Sequence, residues 1–450
     1  MIDFIDQNPV SAACFLVVAF CLFYTWMCKK DFFHPVVIYV FTQCLTLGIA
    51  YLKVVPQMTD FQPLTWCVWM GAMVSFAMGA LTYYCLAPSQ NSSMSVKKVL
   101  NLHLDSYSWK KHFICSIFLL LFFLCGVAGI SFVAGGLIVF SSDPSHWVSP
   151  DIDYGYFPIL ESTAPLVTCY FVLASFKNLN PYRWIRNVSR VCAVATPLIA
   201  FMCYPNRSTV LLCLGWSIII YNYVKKRINV KYIVVAMVLV AVFFVFVAQF
   251  RSQYGANSIK GMTSRQIVLM PYKYIANNYW NLDYAINPPT DRMIHPFTMG
   301  IDALYGMFEY TRFPMAIRDM MGWDNMFNKS VQKVPGFNTT GYLWEVYKDW
   351  GVVGTVWFPF FVSFFMCYLY ERMSRFATPR NIIFYSLFLY YIGWWWFVEG
   401  FKRGLFWLWI YMILFFCWFC GMGVRRKTDE LPLITSGIGE EIEEKCELRF

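Results

Sequence analysis

Stretches almost free of charged positions alternate along this chain with short polar segments, and eleven of them are long enough to matter. Their approximate limits are 9–28, 35–52, 64–86, 112–140, 159–175, 191–206, 208–223, 232–250, 346–370, 381–398 and 404–423. Each predicts a membrane-crossing helix, because about 20 apolar residues rising 1.5 Å each traverse the hydrocarbon layer. The segment 251–345 breaks the pattern. Its longest uncharged run, Val334–Trp344, has 11 residues, too few to cross. It reads as an extramembrane cap carrying most of the chemistry.

The expected architecture is an all-α membrane protein of about 11 transmembrane helices with one large external loop containing short helices. The divisions are a bundle over 1–250, the cap over 251–345, a second bundle over 346–424 and an acidic cytoplasmic tail over 425–450. Thr298–Met321 suggests an interfacial helix inside the cap, with Ile301, Leu304, Tyr305 and Phe308 on one face. The tail carries Glu440, Glu441, Glu443, Glu444 and Glu447 and reads as disordered.

Composition agrees with the periodicity: 58% of residues are hydrophobic, 14% charged and 20% aromatic, with mean hydropathy +0.49. The net charge of +10 would suit nucleic acid or acidic lipid, but its distribution favours another cause. With the N-terminus outside, one set of alternate loops holds twenty Lys and Arg, from Lys29 and Lys30 through Lys225, Lys226, Arg227 and Lys231 to Arg425, Arg426 and Lys427. The opposite short loops hold four: Lys53, Arg207, Lys402 and Arg403. The positive-inside rule then places the cap outside the cytoplasm and the C-terminus within it, with no nucleic-acid partner.

The first segment follows Asp3 and Asp6 rather than a basic leader, and predicts a retained span rather than a cleaved signal. The sixteen Cys include none in the cap. That pattern argues against a disulfide framework or a metal site and for small packing residues. Aromatic clusters such as Trp394–Trp396 suit rings at the membrane interface.

Charges at the outer boundary are the informative ones. Arg207 sits in Tyr204-Pro205-Asn206-Arg207-Ser208 between two apolar stretches, where its guanidinium faces either a protein cavity or lipid phosphate. Arg251 ends the following span on the same side. Glu345 and Asp349 open the next one on a shared helix face. The cap adds nine cations, among them Arg265 and Arg292, whose planar forks suit phosphate oxygens; any solvated loop would show a similar mixture. Proton-accepting candidates are Glu345, whose neighbour Trp344 would desolvate it, and His295, the cap's one histidine. The plain alternatives are a charge favouring a helix N-terminus and a surface histidine.

The span arrangement, the Asn206-Arg207-Ser208-Thr209-Val210-Leu211 helix start, the large loop after the eighth span and the stretch Asn338–Gly351 resemble the Wzy-type oligosaccharide repeat-unit polymerases of bacterial surface polysaccharides. The resemblance implies a bacterial inner membrane and an external active site. It implies transfer of a growing glycan from undecaprenyl diphosphate to a sugar hydroxyl of a new lipid-linked unit, with neither metal nor other cofactor. It also implies the bilayer, and possible chain-length regulator and flippase proteins, as partners. Arg207, Arg251, Arg265 and Arg292 would then hold the diphosphate, and Glu345 or His295 would take the hydroxyl proton. An O-antigen ligase shares this plan and differs in acceptor. A flippase is the alternative of another class, but repeated halves with broken helices, common in transporters, are not evident here.

Overall fold

The computed structural model describes residues 8–27, 31–54, 59–87, 107–141, 147, 152–204, 207–254, 264–288, 300, 306–307 and 339–421, with the side chains of 207, 230, 248, 250–254 and 265 left undescribed. The described residues form helices and no strand. In chain order these are α1 (Pro9–Met27), α2 (Pro35–Ala50), α3 (Pro63–Leu86), α4 (Trp109–Val133), α5 (Phe157–Glu161), α6 (Ala164–Ala174) and α7 (Arg183–Cys203). They continue as α8 (Arg207–Val224), α9 (Val230–Tyr254), α10 (Ser264–Val268), α11 (Met270–Ile286), α12 (Gly341–Arg375), α13 (Pro379–Gly393) and α14 (Gly404–Phe419), and a short 3₁₀ turn, Ile138–Phe140, follows α4.

The protein is an all-α, multi-pass membrane protein. Among the described residues six helical stretches are long and apolar enough to cross a bilayer: Pro9–Met27, Pro63–Leu86, Trp109–Phe140, Phe157–Ala174, Arg183–Cys203 and Gly341–Arg375. Shorter apolar helices lie at Pro35–Ala50, Ser208–Val224, Lys231–Val247 and Gly404–Phe419. Large apolar side chains point outward from several of them, including Phe20, Val191, Leu239, Phe361 and Trp418. In water such a surface would drive aggregation; in lipid it is the solvent-facing surface. The described cysteines are free and mostly buried.

Two local departures from the apolar pattern have visible causes. The stretch 159–175 is split into α5 and α6, because Ser162 and Thr163 turn their hydroxyls onto the carbonyls of Ile159 and Leu160 (2.6 and 2.7 Å), while Pro165 has no N–H to continue the ladder. Helix α12 is two helices joined at Gly351, whose φ of 62° and ψ of −153° belong to a region open essentially to glycine.

Helix α3 is the main partner of α12. Gly79 lets the backbones approach so closely that a methyl there would run into the Phe360 carbonyl, a small-residue contact of the kind that binds helices in lipid. Ser75 donates to the Val356 carbonyl beside Pro359, in a stretch where the proline interrupts the ladder.

One part of the expected cap is not a solvated loop. Helix α11 packs against α2, α3, α9 and α12, with Asn277, Asn278, Asn281 and Asp283 all buried. These polar residues, which give the segment its extramembrane look in sequence, tie loops together instead. Asp283 accepts from the Gln62 N–H (3.0 Å) and the Thr65 hydroxyl (2.6 Å). Tyr279 meets Thr46 at 2.8 Å, Asn278 donates to the Trp396 carbonyl, and Asn281 donates to that of Thr339 (3.2 Å). The 51–62 connection, α11, the start of α12 and the 394–403 connection therefore share one end of the bundle. The opposite end gathers Asp31, the end of α8 and the end of α12, where Asp31 accepts from Tyr223 (2.8 Å) and Tyr370 (3.4 Å). The expected amphipathic helix Thr298–Met321 lies outside the described residues apart from Gly300, Gly306 and Met307.

Candidate active site

The start of α12 is fastened to the connection between α13 and α14. The Gly341 N–H reaches the Phe397 carbonyl (3.2 Å) and the Tyr342 N–H that of Trp395 (2.9 Å). The Tyr342 and Trp395 rings stack at 4.3 Å, and the Tyr342 hydroxyl meets that of Tyr39. One turn further on, Glu345 is thereby brought opposite Lys402.

Glu345 is bonded to two ammonium groups: Lys348 donates at 3.0 Å, and Lys402 donates to the same oxygen. The surroundings of Glu345 differ from those expected: the Trp344 ring stacks on Tyr347, and the part-buried carboxylate faces two cations that favour its charged form. Both bonds fall on one oxygen, so Glu345 acts as the counter-ion of these two lysines.

The second carboxylate is Glu399, in the connection between α13 and α14, with 4% of its surface exposed. Its two oxygens take the N–H groups of Phe401 (2.8 Å) and Lys402 (2.7 Å). Burial pushes its pKa up to about 7, against the lowering pull of those two N–H groups and of the Lys402 charge, and with the Glu345 charge adding to the rise. Two carboxylates side by side thus have separate characters, one ion-paired and one poised near neutrality, which is the arrangement that distinguishes acid–base groups in active sites.

Both line a cleft of about 510 Å³ bounded by α12, α13 and α14. Glu345, Asp349, Glu399 and Lys402 form its polar head, and Trp357, Phe361, Phe365 and Phe388 continue its wall along the apolar part of the bundle. Asp349 is buried at this head. Four charged groups at one end and aromatic rings along the rest make an amphiphilic cavity, matched to a ligand with a polar head and an apolar tail. The break at Gly351 lets the charged turn of α12 and its aromatic shaft meet at an angle a straight helix would not allow.

The other residues expected to carry the chemistry fall where side chains are not described. Arg207 opens α8, Arg251 lies in the last turn of α9 and Arg265 in α10, all with undescribed side chains; Arg292 and His295 lie outside the described residues. Of the expected site residues the structure brings Glu345 into the cleft, next to Asp349. Sequence reasoning passed over Lys348, Glu399 and Lys402. The available signal was the Glu399-Gly400-Phe401-Lys402-Arg403 cluster: Lys402 and Arg403 are two of four cations on the short loops of the cation-poor set, and a Glu stands three residues before the first. Among the described residues no three His, Cys, Asp or Glu side chains are placed to hold a metal ion.

The fold and site define a multi-pass helical membrane protein with an amphiphilic, charge-headed cleft at one end of its bundle. No family model, curated protein or solved structure matches the chain.

Proposed function

We propose that this protein is a membrane glycosyltransferase that polymerises oligosaccharide repeat units carried on a polyprenyl diphosphate, in the manner of the Wzy-type enzymes that the sequence resembles. The observation that carries this reading is the cleft itself. Lys402 and Glu399 stand at one end of a chamber whose remaining wall is largely aromatic, and Lys348 joins the same charge cluster through Glu345. A lipid diphosphate presents the complementary sequence of charge and hydrocarbon.

In this reading the donor glycan sits at the polar head with its diphosphate toward Lys402, and Lys348 adds its charge from behind Glu345. An acceptor sugar hydroxyl gives its proton to the Glu399 carboxylate as its oxygen bonds to the donor's anomeric carbon. The bond from that carbon to the diphosphate oxygen breaks, and the electron pair leaves on the diphosphate. The ammoniums oppose the charge that grows there. The proton afterwards passes to the departing diphosphate or to water. The bundle crosses the membrane eleven times, with the cleft end outside a bacterial inner membrane, the N-terminus outside and the C-terminus cytoplasmic; Arg207 at the start of α8, with Arg251, Arg265 and Arg292 of the cap, would extend the phosphate site.

The test is purified protein given synthetic polyprenyl-diphosphate repeat units, with products resolved by gel. Wild type is expected to build ladders, and Glu399→Gln to retain donor binding while turnover falls by about 10²–10⁴-fold. Unchanged turnover in that variant removes Glu399 from the chemistry. A gel of surface glycan from a deletion strain separates the neighbouring readings. Single repeats on the acceptor support a polymerase, accumulated lipid-linked polymer points to a ligase, and the absence of both points to a flippase.

A further inference from the structure

The opposite end of the bundle carries a second cavity that the proposed reaction does not use. It has a volume of about 750 Å³ and lies where α1, α8 and α9 meet Asp31 and Phe32, with the exposed Lys226, Arg227 and Lys231 and the buried Asp31 among its lining residues. The Asp31 carboxylate is already occupied. One oxygen takes the Phe33 N–H (3.0 Å) and the Asn222 side chain (3.4 Å), and the other takes the hydroxyls of Tyr223 (2.8 Å) and Tyr370 (3.4 Å). Asp31 therefore shapes the pocket, and three cations against one saturated carboxylate leave its mouth positive.

An apolar groove adjoins this pocket. Phe32, Ile228 and Tyr232 line the pocket and also line the groove, which has a volume of about 610 Å³ and lies between α2, α9, α11 and α13. The groove follows α2 from Ile38 to Ile49, roughly 17 Å at 1.5 Å per residue, about half of the hydrocarbon layer and so the depth of one leaflet. Its walls are almost wholly apolar, with Ile38, Phe41, Leu45, Ala236, Val240 and Leu389 among them. Tyr232 lines both cavities and Trp26 lines the pocket, where amphipathic rings mark a membrane interface.

We propose that this pocket and the groove beside it bind one anionic phospholipid, its phosphodiester among Lys226, Arg227 and Lys231 and an acyl chain against α2 and α9. Positive loops alone would follow from membrane orientation. A cavity lined by those cations and adjoining an apolar groove one leaflet deep is the added feature, and it selects a lipid over a soluble anion. Charge complementarity selects an anionic over a zwitterionic headgroup. The site lies at the other end of the bundle from Glu399 and Lys402, and it stands whether or not the polymerase reading does.

Native mass spectrometry of the full chain in detergent, titrated with palmitoyl-oleoyl phosphatidylglycerol or the matching phosphatidylcholine, reads the affinities directly. The wild type is expected to hold one phosphatidylglycerol about tenfold more tightly than phosphatidylcholine. The triple variant Lys226→Gln, Arg227→Gln, Lys231→Gln should bind both lipids alike, whereas Lys231→Arg keeps the preference. Ala236→Trp, which fills the groove, should weaken both lipids while the protein melts as wild type does. Equal binding of the two lipids by wild type, or a preserved preference in the triple variant, overturns the proposal. So does displacement of phosphatidylglycerol by free glycerol phosphate at equal concentration, which would mark a site for a soluble anion.

Discussion

A carboxyl group shut away from water holds its proton more tightly than one in solution, and Glu399 shows how a connection between helices produces that state without losing hydrogen bonds. Its side chain folds back on the N–H groups of Phe401 and Lys402, so both oxygens are supported while the residue stays buried. A base must be unprotonated to act. Activity at low substrate concentration is therefore expected to climb about tenfold per pH unit up to the pKa of about 7 and to level off above it. Glu399→Gln should lose this rise together with turnover. The stability sign runs the other way: the folded pKa is raised above the ordinary value near 4.3, so the contribution is full below that value and lost as pH rises toward 7. A pH series of melting temperatures should accordingly fall less between pH 5 and 8 in Glu399→Gln than in wild type. Glu345→Gln is the contrasting variant. It removes the counter-ion of Lys348 and Lys402, so it should lower the melting temperature and leave the pH rise in place. Loss of that rise in Glu345→Gln would return the role of base to Glu345.

Among the elements, α12 does the most to position the cleft, and it does so by being discontinuous. Its first part, Gly341–Trp350, hangs from the 394–397 turn by the hydrogen bonds of Gly341 and Tyr342; its second part is the membrane shaft that packs on α3. Any side chain at Gly351 must leave φ 62°, ψ −153° or bear strain of about 1–3 kcal/mol. Gly351→Ala is expected to straighten the junction, separate Glu345 from Lys402 and reduce turnover, even where thermal melting in detergent changes by only a few degrees. Gly79→Ala tests the other joint. Its added methyl meets the Phe360 carbonyl, and the overpacking should destabilise the protein by about 1–3 kcal/mol, measured as a lower melting temperature. Melting unchanged in Gly79→Ala would mean that α3 and α12 slide apart freely.

For the whole molecule, the arrangement of connections makes a statement about sides that labelling can check. The 51–62 and 394–403 connections lie at the cleft end, and the 225–229 connection lies at the Asp31 end, as the hydrogen bonds of Asp283, Asn278 and Tyr223 show. Asp60, exposed and paired with Lys53 at 2.7 Å, belongs to the first set, and Asn229 to the second. With exposed native cysteines replaced, Asp60→Cys should react with an impermeant maleimide on intact cells, and Asn229→Cys only after permeabilisation. The reverse result would turn the bundle over and place the cleft at the cytoplasmic face.

The division between what the chain's order of residues determined and what folding decided follows the range of the forces involved. Helical, multi-pass membrane character depends on runs of apolar residues that bury their own backbone groups, a local requirement visible in stretches such as 64–86 and 112–140. Helices accordingly occupy Pro63–Leu86 and Trp109–Val133. The break at Gly351 was encoded too, but a glycine in an apolar run does not declare whether it bends a helix or lets a neighbour approach; Gly351 does the first and Gly79 the second. The cap's polar composition pointed to water, whereas α11 spends its Asn and Asp side chains on the 51–62 and 394–403 connections. Whether a polar side chain faces solvent or a loop cannot be read from its own segment. The site shows the same limit most strongly. Glu345 was legible because it stands at the edge of an apolar run. Its meeting with Lys402, 57 positions away, and the burial of Glu399 depend on how α12 docks against the turn after α13. The identity of the charged groups was written in the sequence, and only the tertiary structure decided which carboxylate is neutralised by lysines and which is left in an apolar enclosure to hold a proton near neutral pH.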